Sequence, residues 1–180
     1  MNQKNSSTSA PIIRQRRNAD ISEAAESLVE VHATDGYPVE GVDQPEAWLT
    51  PPGLIQAWVA ELDGHIVGHV AISRSNGEEA VSLWLKHGQG IEEKTAVMAR
   101  LFVIRGARKS SIGERLVGAA TEYAEQKGVR LVLDVMAKDM AAIRLYERLG
   151  WQKLGPTTHT YGDGDRTDAV CYVSPMASAA

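Results

Sequence analysis

The sequence predicts a mixed α/β (α+β) domain whose central sheet is largely antiparallel and flanked by helices. Three observations carry this. Two apolar, β-rich runs at 55–62 and 66–73 flank Asp63-Gly64, a pair that favours a two-residue hairpin turn. Two more strand-like runs, 95–104 and 130–136, are each followed by apolar residues at helical spacing. Those helical stretches stop at Gly128 and Gly150, where a left-handed cap is easy.

The elements follow in order. Residues 12–17 read as a first strand. Asp20-Ile21-Ser22-Glu23 reads as a helix start with a carboxylate at the positive end, and Ile21, Ala24, Leu28 and Val31 continue at helical spacing. Tyr37-Pro38 and Pro45 end that helix, residues 46–49 form a short turn, and Pro51-Pro52-Gly53 is a break. The hairpin comes next. Residues 79–94 show no clear pattern and read as a surface insertion. Residues 95–104 are the most apolar strand. A loop at 105–111 leads into a helix over 112–127, then a strand at 130–136 and a helix at 139–149. Two last strands, 151–154 and 169–173, enclose a Gly/Asp-rich loop. Residues 1–10 are polar and Ser-rich and read as a disordered tail, residues 11–174 as a single domain, and 175–180 as a flexible tail.

Composition excludes several classes. The chain has 180 residues, enough for one domain to bury a core without disulfides or structural metal. Lys and Arg number 19 against 23 Asp and Glu, a formal charge of -4, which argues against non-specific nucleic-acid binding. The single cysteine, Cys171, excludes an intramolecular disulfide and multi-cysteine metal sites. No apolar run is long enough to span a bilayer, and the N-terminus lacks an apolar signal core. The expectation is a soluble, cytoplasmic protein with no nucleic-acid or membrane partner.

The informative segment is Val103-Ile104-Arg105-Gly106-Ala107-Arg108-Lys109-Ser110-Ser111-Ile112-Gly113. A strand enters a loop of small and basic residues and a helix begins at once. The free N–H groups of a helix start attract phosphate, small residues let backbone approach a ligand, and Arg108 and Lys109 add positive charge. The same residues also fit a capping box, with Ser111 as cap and Glu114 three positions on. Both readings stand at this point. A Walker-type P-loop and a Gly-x-Gly-x-x-Gly dinucleotide motif are absent.

This segment resembles the pyrophosphate loop of the GCN5-related N-acetyltransferase (GNAT) superfamily, (Gln/Arg)-x-x-Gly-x-(Gly/Ala). Arg108-Lys109-Ser110-Ser111-Ile112-Gly113 matches it with serine where glycine is usual. Downstream, Asp139-Met140-Ala141-Ala142-Ile143-Arg144-Leu145-Tyr146, followed by Gly150-Trp151, is similar to the family's later Asn-x-x-Ala-x-x-Leu-Tyr motif, with aspartate for asparagine. The resemblance covers residues 95–154. It implies an N-acetyltransferase that uses acetyl-CoA as donor and a primary amine as acceptor, by direct attack. It implies a cofactor site at Arg108, Lys109, Ser110, Ser111, Ile112, Gly113, Asp139 and Ala142, with the acetyl carbonyl met by main chain around Leu101, Phe102 and Val103. It also implies an acceptor site from residues 34–52 and 157–168.

Two side chains are candidates for chemistry. Tyr146 matches the family's usual acid for the departing thiolate; as an isolated residue it reads as a core aromatic in the Ile143, Tyr146, Leu149 stripe. Asp134 interrupts an apolar strand, where burial would raise its pKa and suit it to base work, or where a structural partner would hold it. The acidic residue that many relatives carry on the strand before the loop is missing at Met98-Ala99-Arg100. His65 and His69 sit four apart on a strand, a spacing that makes no helical metal pair, and read as solvated or packed. Asp163-Gly164-Asp165 reads as a hairpin turn, Cys171 as a buried thiol, and Trp48, Trp58 and Trp84 as core or as acceptor-pocket walls. The acceptor is expected to be a small molecule. An acyl-CoA-binding module with little transferase activity and a protein-amine acetyltransferase are the alternatives. Exposed sheet edges leave room for a homodimer.

Overall fold

The computed structural model describes residues 9–176, and of Lys109 only the main chain. The tail expectations at 1–10 and 175–180 lie largely outside the described residues. The chain order is β1 (Ile12–Gln15), α1 (Ile21–Asp35), α2 (Pro45–Leu49), β2 (Leu54–Leu62), β3 (His65–Arg74), α3 (Glu79–Lys86), β4 (Thr95–Val103), α4 (Ile112–Gln126), β5 (Arg130–Met136), α5 (Met140–Arg148), β6 (Gln152–Tyr161) and β7 (Asp165–Val173). The seven strands form one sheet in the order β1-β2-β3-β4-β5-β7-β6. Only β4 and β5 pair in parallel. The expected mixed, largely antiparallel sheet is therefore present.

Local sequence explains most of the frame. Asp63 and Gly64 both take positive φ, 52° and 80°, as the predicted tight hairpin between β2 and β3 requires. One face of the sheet carries α4 and α5. Ile112, Leu116, Val117, Ala120 and Ala124 of α4 recur at helical spacing and pack against Val70, Ile72, Met98, Leu131 and Leu133. Gly68 permits this approach, since a Cβ there would lie 3.1 Å from Leu116 Cδ1 and 3.2 Å from the Phe102 carbonyl. On the other face, Ala24, Leu28 and Val31 of α1 meet Leu49, Val59, Ile66 and Phe102.

Two expectations are corrected. The segment at 79–94 contains α3, not merely a surface insertion. Ala80, Val81 and Trp84 are buried against Val132, Leu154, Cys171 and Val173. The helix is short and its apolar stripe is only three residues wide, which hid it. The last strands are also longer than the runs 151–154 and 169–173. They form an extended hairpin closed by a turn at 162–164, so Asp163-Gly164-Asp165 is a turn as expected. Residues 157–161 alternate half-buried and exposed without an apolar pattern. Trp58 and Trp84 are core, and Cys171 is a buried thiol whose pKa burial pushes up to about 12.

Two irregularities shape the sheet centre. β4 and β5 pair only from Thr95↔Arg130 to Val97↔Val132, yet both strands run on, so they splay. Between His69↔Phe102 and Ala71↔Ala99, β4 holds one more residue than β3, a β-bulge. Arg100 in that bulge has φ 58°.

Candidate active site

The splay exposes main chain of β4. The Ile104 amide donates to the Val67 carbonyl at 2.9 Å. By the alternation of an antiparallel ladder, Phe102 also turns its amide and carbonyl toward β3, while Leu101 and Val103 turn theirs toward β5. Of the three residues expected to present main chain, Leu101 and Val103 are so oriented. The Phe102 side chain packs in the α1 core.

At the end of β4, residues 105–110 form a 3-10 turn and α4 starts at Ile112. The expected capping box is not formed. Ser111 has φ 56° and ψ 26°, outside the extended geometry of a cap, and its side chain makes no cap hydrogen bond. Glu114 instead meets Arg148 at 3.4 Å. The first-turn amides of a helix have no partner within it, so without a side-chain cap they suit an anion. A Cβ on Gly113 would meet only ordinary contacts, at 3.7 Å from Leu145 and 3.9 Å from Val103. No packing demands glycine there, and its small size leaves the helix start open. Arg108 departs from expectation. Its guanidinium pairs with Asp35 at the end of α1, and its Nε donates to the Val103 carbonyl at 3.1 Å. Arg105 joins the same carboxylate at 3.0 Å. The Lys109 side chain lies outside the described residues, and Ser110 is exposed.

Ser111 stands in a left-handed conformation that costs a non-glycine residue roughly 1–2 kcal/mol. Ser111→Gly should therefore raise stability by up to about 1 kcal/mol, a Tm gain of roughly 2–4 °C for a domain of this size. Differential scanning calorimetry checks this; a lower Tm would show that the serine side chain makes a contact worth more than the strain.

Asp139 caps α5, its Oδ1 accepting from the Ala142 amide at 3.1 Å. Tyr146 is buried on this helix, with ring centroids 5.5 Å from Trp151 and 6.3 Å from Tyr172. Its hydroxyl has no hydrogen-bond partner among the described residues. Burial first, then the charges of Asp139 and Asp134, pushes its pKa well up, so it keeps its proton at neutral pH.

Asp134 is corrected. It is not buried in the strand: its side chain is 41% exposed. Oδ2 lies 3.1 Å from His159 Nδ1 on β6, and the His159 ring stacks on Tyr161 at 6.2 Å. Sequence reasoning missed His159. The alternation of Thr157, His159 and Tyr161 toward one side was the only available signal.

Residues of the α1–α2 connection come within electrostatic reach of Asp134. Trp48 Nε1 donates to Glu40 Oε1 at 2.7 Å, and Tyr37 packs edge-on against Trp48 at 5.9 Å. Of Trp48, Trp58 and Trp84, only Trp48 is partly exposed, packing at the edge of the α1 core. Tyr37 lies within electrostatic reach of Tyr146, Glu40, Arg100 and Asp134; burial first, then Tyr146, Glu40 and Asp134, push its pKa up against the opposing charge of Arg100. The groove thus gathers groups from α5, β4, β5 and the α1–α2 connection.

Beneath it lies a buried hub. His69 is fully buried, with Nδ1 2.9 Å from the Arg100 carbonyl and Nε2 2.9 Å from Arg16 Nη1. Because Arg16 can only donate, Nε2 accepts and Nδ1 carries the proton. His69 is packed, as expected for one of the two histidines; His65 is exposed and meets Glu23 at 3.1 Å. Among the described residues no His, Cys, Asp or Glu cluster suits a metal.

The sequence matches the Acetyltransferase (GNAT) family over residues 22–151. It is 32% identical over 97 residues to "Probable N-acetyltransferase camello" of Xenopus tropicalis, covering 53% of this chain and 38% of that one. It is 30% identical over 118 residues to "N-acetylaspartate synthetase" of Mus musculus, covering 65% and 34%. The chain thus spans little more than a third of these relatives. Its fold is similar to an N-acetyltransferase from Staphylococcus aureus Mu50 (TM-score 0.69, 19% identity, 92% of this chain and 98% of that one). It is also similar to yncA from Salmonella typhimurium, solved with its cofactor acetyl-CoA (TM-score 0.69, 16% identity, 96% and 97%).

Proposed function

This chain belongs to the GNAT acetyltransferase family, and from that premise we propose that it transfers an acetyl group from acetyl-CoA to the primary amine of a small molecule, by direct attack. One observation carries the reading. The uncapped start of α4, the main chain of Leu101 and Val103, the Tyr146 hydroxyl and the Asp134–His159 pair surround one splay in the sheet. The residues fit the cofactor's chemistry: open helix amides for a pyrophosphate, and a strand edge for an amide-bearing arm. Residues 11–174 act as one catalytic domain in this reading, and the protein works in the cytoplasm. Among the described residues no helix is long and apolar enough to cross a membrane. The outer strands β1 and β6 are the edges where a homodimer would pair.

Acetyl-CoA, when bound, supplies an activated thioester carbonyl and a thiol leaving group. The amides of Leu101 and Val103 offer donors to developing negative charge on an oxygen. Tyr146 holds the proton that a departing sulfur needs. His159 takes the amine proton at Nε2, with Asp134 fixing the tautomer through Nδ1 and stabilising the imidazolium. Asp134 is thus a positioning residue rather than the base expected from the sequence.

Thermal unfolding with acetyl-CoA, CoA and ATP tests the cofactor assignment, and thiol release with amines tests transfer. A ligand at 100 times its Kd stabilises by about 2.7 kcal/mol. A shift with both CoA species but not ATP, together with amine-dependent thiol release, is expected. A shift without any release supports the acyl-CoA-binding alternative. For the proton acceptor, Asp134→Asn replaces the charged partner of His159 Nδ1 by a neutral one, so kcat should fall roughly tenfold to hundredfold while the acetyl-CoA-induced thermal shift is kept. An unchanged kcat removes the pair from proton transfer.

A further inference from the structure

We propose that Arg100 reads a carboxylate on the acceptor, so that the amine acetylated belongs to an amino acid or a similar zwitterion. This rests on the acetyltransferase reading above and names its acceptor class.

A left-handed arginine in a β-bulge is strained, and such strain persists only where surroundings fix it. Here they do. His69 Nδ1 donates to the Arg100 carbonyl at 2.9 Å. Arg100 Nε donates to the Trp48 carbonyl at 2.6 Å. The guanidinium carbon lies 5.0 Å over the Trp48 ring. Trp48 is in turn tied to Glu40 through Nε1.

These contacts use Nε and one flat face of the guanidinium. Both Nη groups are left without a partner among the described residues, and no carboxylate there lies within ion-pair distance of Arg100. The charge of Glu40 reaches Arg100, but Glu40 is hydrogen-bonded to Trp48 and makes no ion pair with it. Arg100 is half-buried, and a cation partly removed from water without a contacting counter-ion is costly. The other buried arginine of this region, Arg16, spends its Nη1 on the Leu49 carbonyl and on His69. A preorganised guanidinium whose two Nη groups are free presents one N–H edge that matches a carboxylate in a bidentate pair.

The rest of the groove supplies the complementary half. The Asp134–His159 pair bears the negative and proton-accepting groups, and Tyr37 lies within electrostatic reach of both Asp134 and Arg100. A cationic floor and an acidic wall make the groove dipolar. An amino acid would set its amine toward His159 and its carboxylate toward Arg100. A plain amine would leave Arg100 unpaired and desolvated, the situation in which polar sites discriminate most strongly. This differs from the cationic acceptor that Asp163, Asp165 and Asp168 would favour; those carboxylates are solvent-exposed on the β6–β7 hairpin.

The test is a paired panel. Thiol release from acetyl-CoA is followed with aspartate and β-alanine amide, phenylalanine and phenethylamine, and lysine and cadaverine, plus spermidine and a C-terminally amidated peptide. The wild-type chain should prefer at least one acid over its carboxylate-free partner by tenfold to hundredfold in kcat/KM. Arg100→Met should bring that ratio near one, mainly through KM, and Arg100→Lys should keep part of it. The acetyl-CoA-induced thermal shift of Arg100→Met should equal the wild type's, showing a folded, cofactor-competent variant. Equal or better use of the carboxylate-free amines or the peptide overturns the inference and leaves the acetyltransferase reading intact. So does a preference that survives in Arg100→Met, or a cofactor shift with no carboxylate-bearing substrate turned over. No cofactor shift and no turnover removes both.

Discussion

Replacing Tyr146 by Phe is expected to lower kcat by about a hundredfold while leaving acetyl-CoA affinity and Tm close to wild type. General acids contribute about 10²–10⁴-fold, and the low end applies here for a physical reason. Burial and the charges of Asp139 and Asp134 hold the hydroxyl well above its usual pKa, so it is always protonated but less willing to give the proton up. The ring itself packs on Trp151 and Tyr172, and phenylalanine preserves both contacts. The hydroxyl makes no hydrogen bond among the described residues, so its loss leaves no buried partner stranded. Steady-state kinetics with an identified amine, alongside cofactor titration, reads the result. Parallel loss in kcat and kcat/KM marks a group acting only in the transition state. Unchanged turnover would take Tyr146 out of the mechanism and return it to the core stripe.

What the sequence disclosed divides along physical lines. The hairpin at Asp63-Gly64, the strand at 95–104 and the helix stops at Gly128 and Gly150 were legible because each rests on a short-range rule. The loop before α4 and Tyr146 were legible through a motif resemblance. What stayed hidden depends on contacts distant in sequence. Asp134 breaks an apolar run and so looked buried, yet the strand splay opens that face to His159, 25 positions on. Ser111 and Glu114 have the spacing of a capping box, but the left-handed turn at Ser111 points the chain elsewhere. Arg108 looked like a phosphate ligand, but Asp35 at the end of α1, 73 residues away, takes its guanidinium. Nothing in the sequence marked Arg100, and His69 read only as a solvated or packed histidine, because the bulge that joins them exists only in the folded sheet.

His69 carries the second large effect, and its test is a test of that bulge. His69→Phe keeps an aromatic ring stacked near Phe102, now 5.4 Å from it, but deletes both nitrogens. The Arg100 carbonyl and Arg16 Nη1 then lose buried partners. Each stranded group costs about 1–3 kcal/mol, more when charged, so a loss of roughly 3–5 kcal/mol is expected at neutral pH. For a domain of this size that is a Tm drop of roughly 6–20 °C. A second signature separates this from simple misfit. Burial, reinforced by the charges of Arg16 and Arg100 against the pull of the Arg100 carbonyl, lowers the His69 pKa to about 3. The unfolded imidazole titrates near its ordinary value of about 6.5. As pH falls below that value, the unfolded state takes up a proton and the folded state does not. Stability from this group is therefore full above about pH 6.5 and is lost progressively toward pH 3, at about 1.4 kcal/mol per unit. His69→Phe has no such group, so the gap between wild type and variant should narrow as pH falls from 6.5 to 4.5. Asp20 does not confuse the comparison: its pairing with Arg14 lowers its pKa to about 2, and its own loss of stability begins only near pH 4. Urea unfolding of both proteins across that window reads the slope directly. A gap that stays constant across that window would mean His69 is protonated in the folded state, with a proton on both ring nitrogens, so that Nε2 could not accept from Arg16 and the contacts assigned to the hub beneath Arg100 would be wrong.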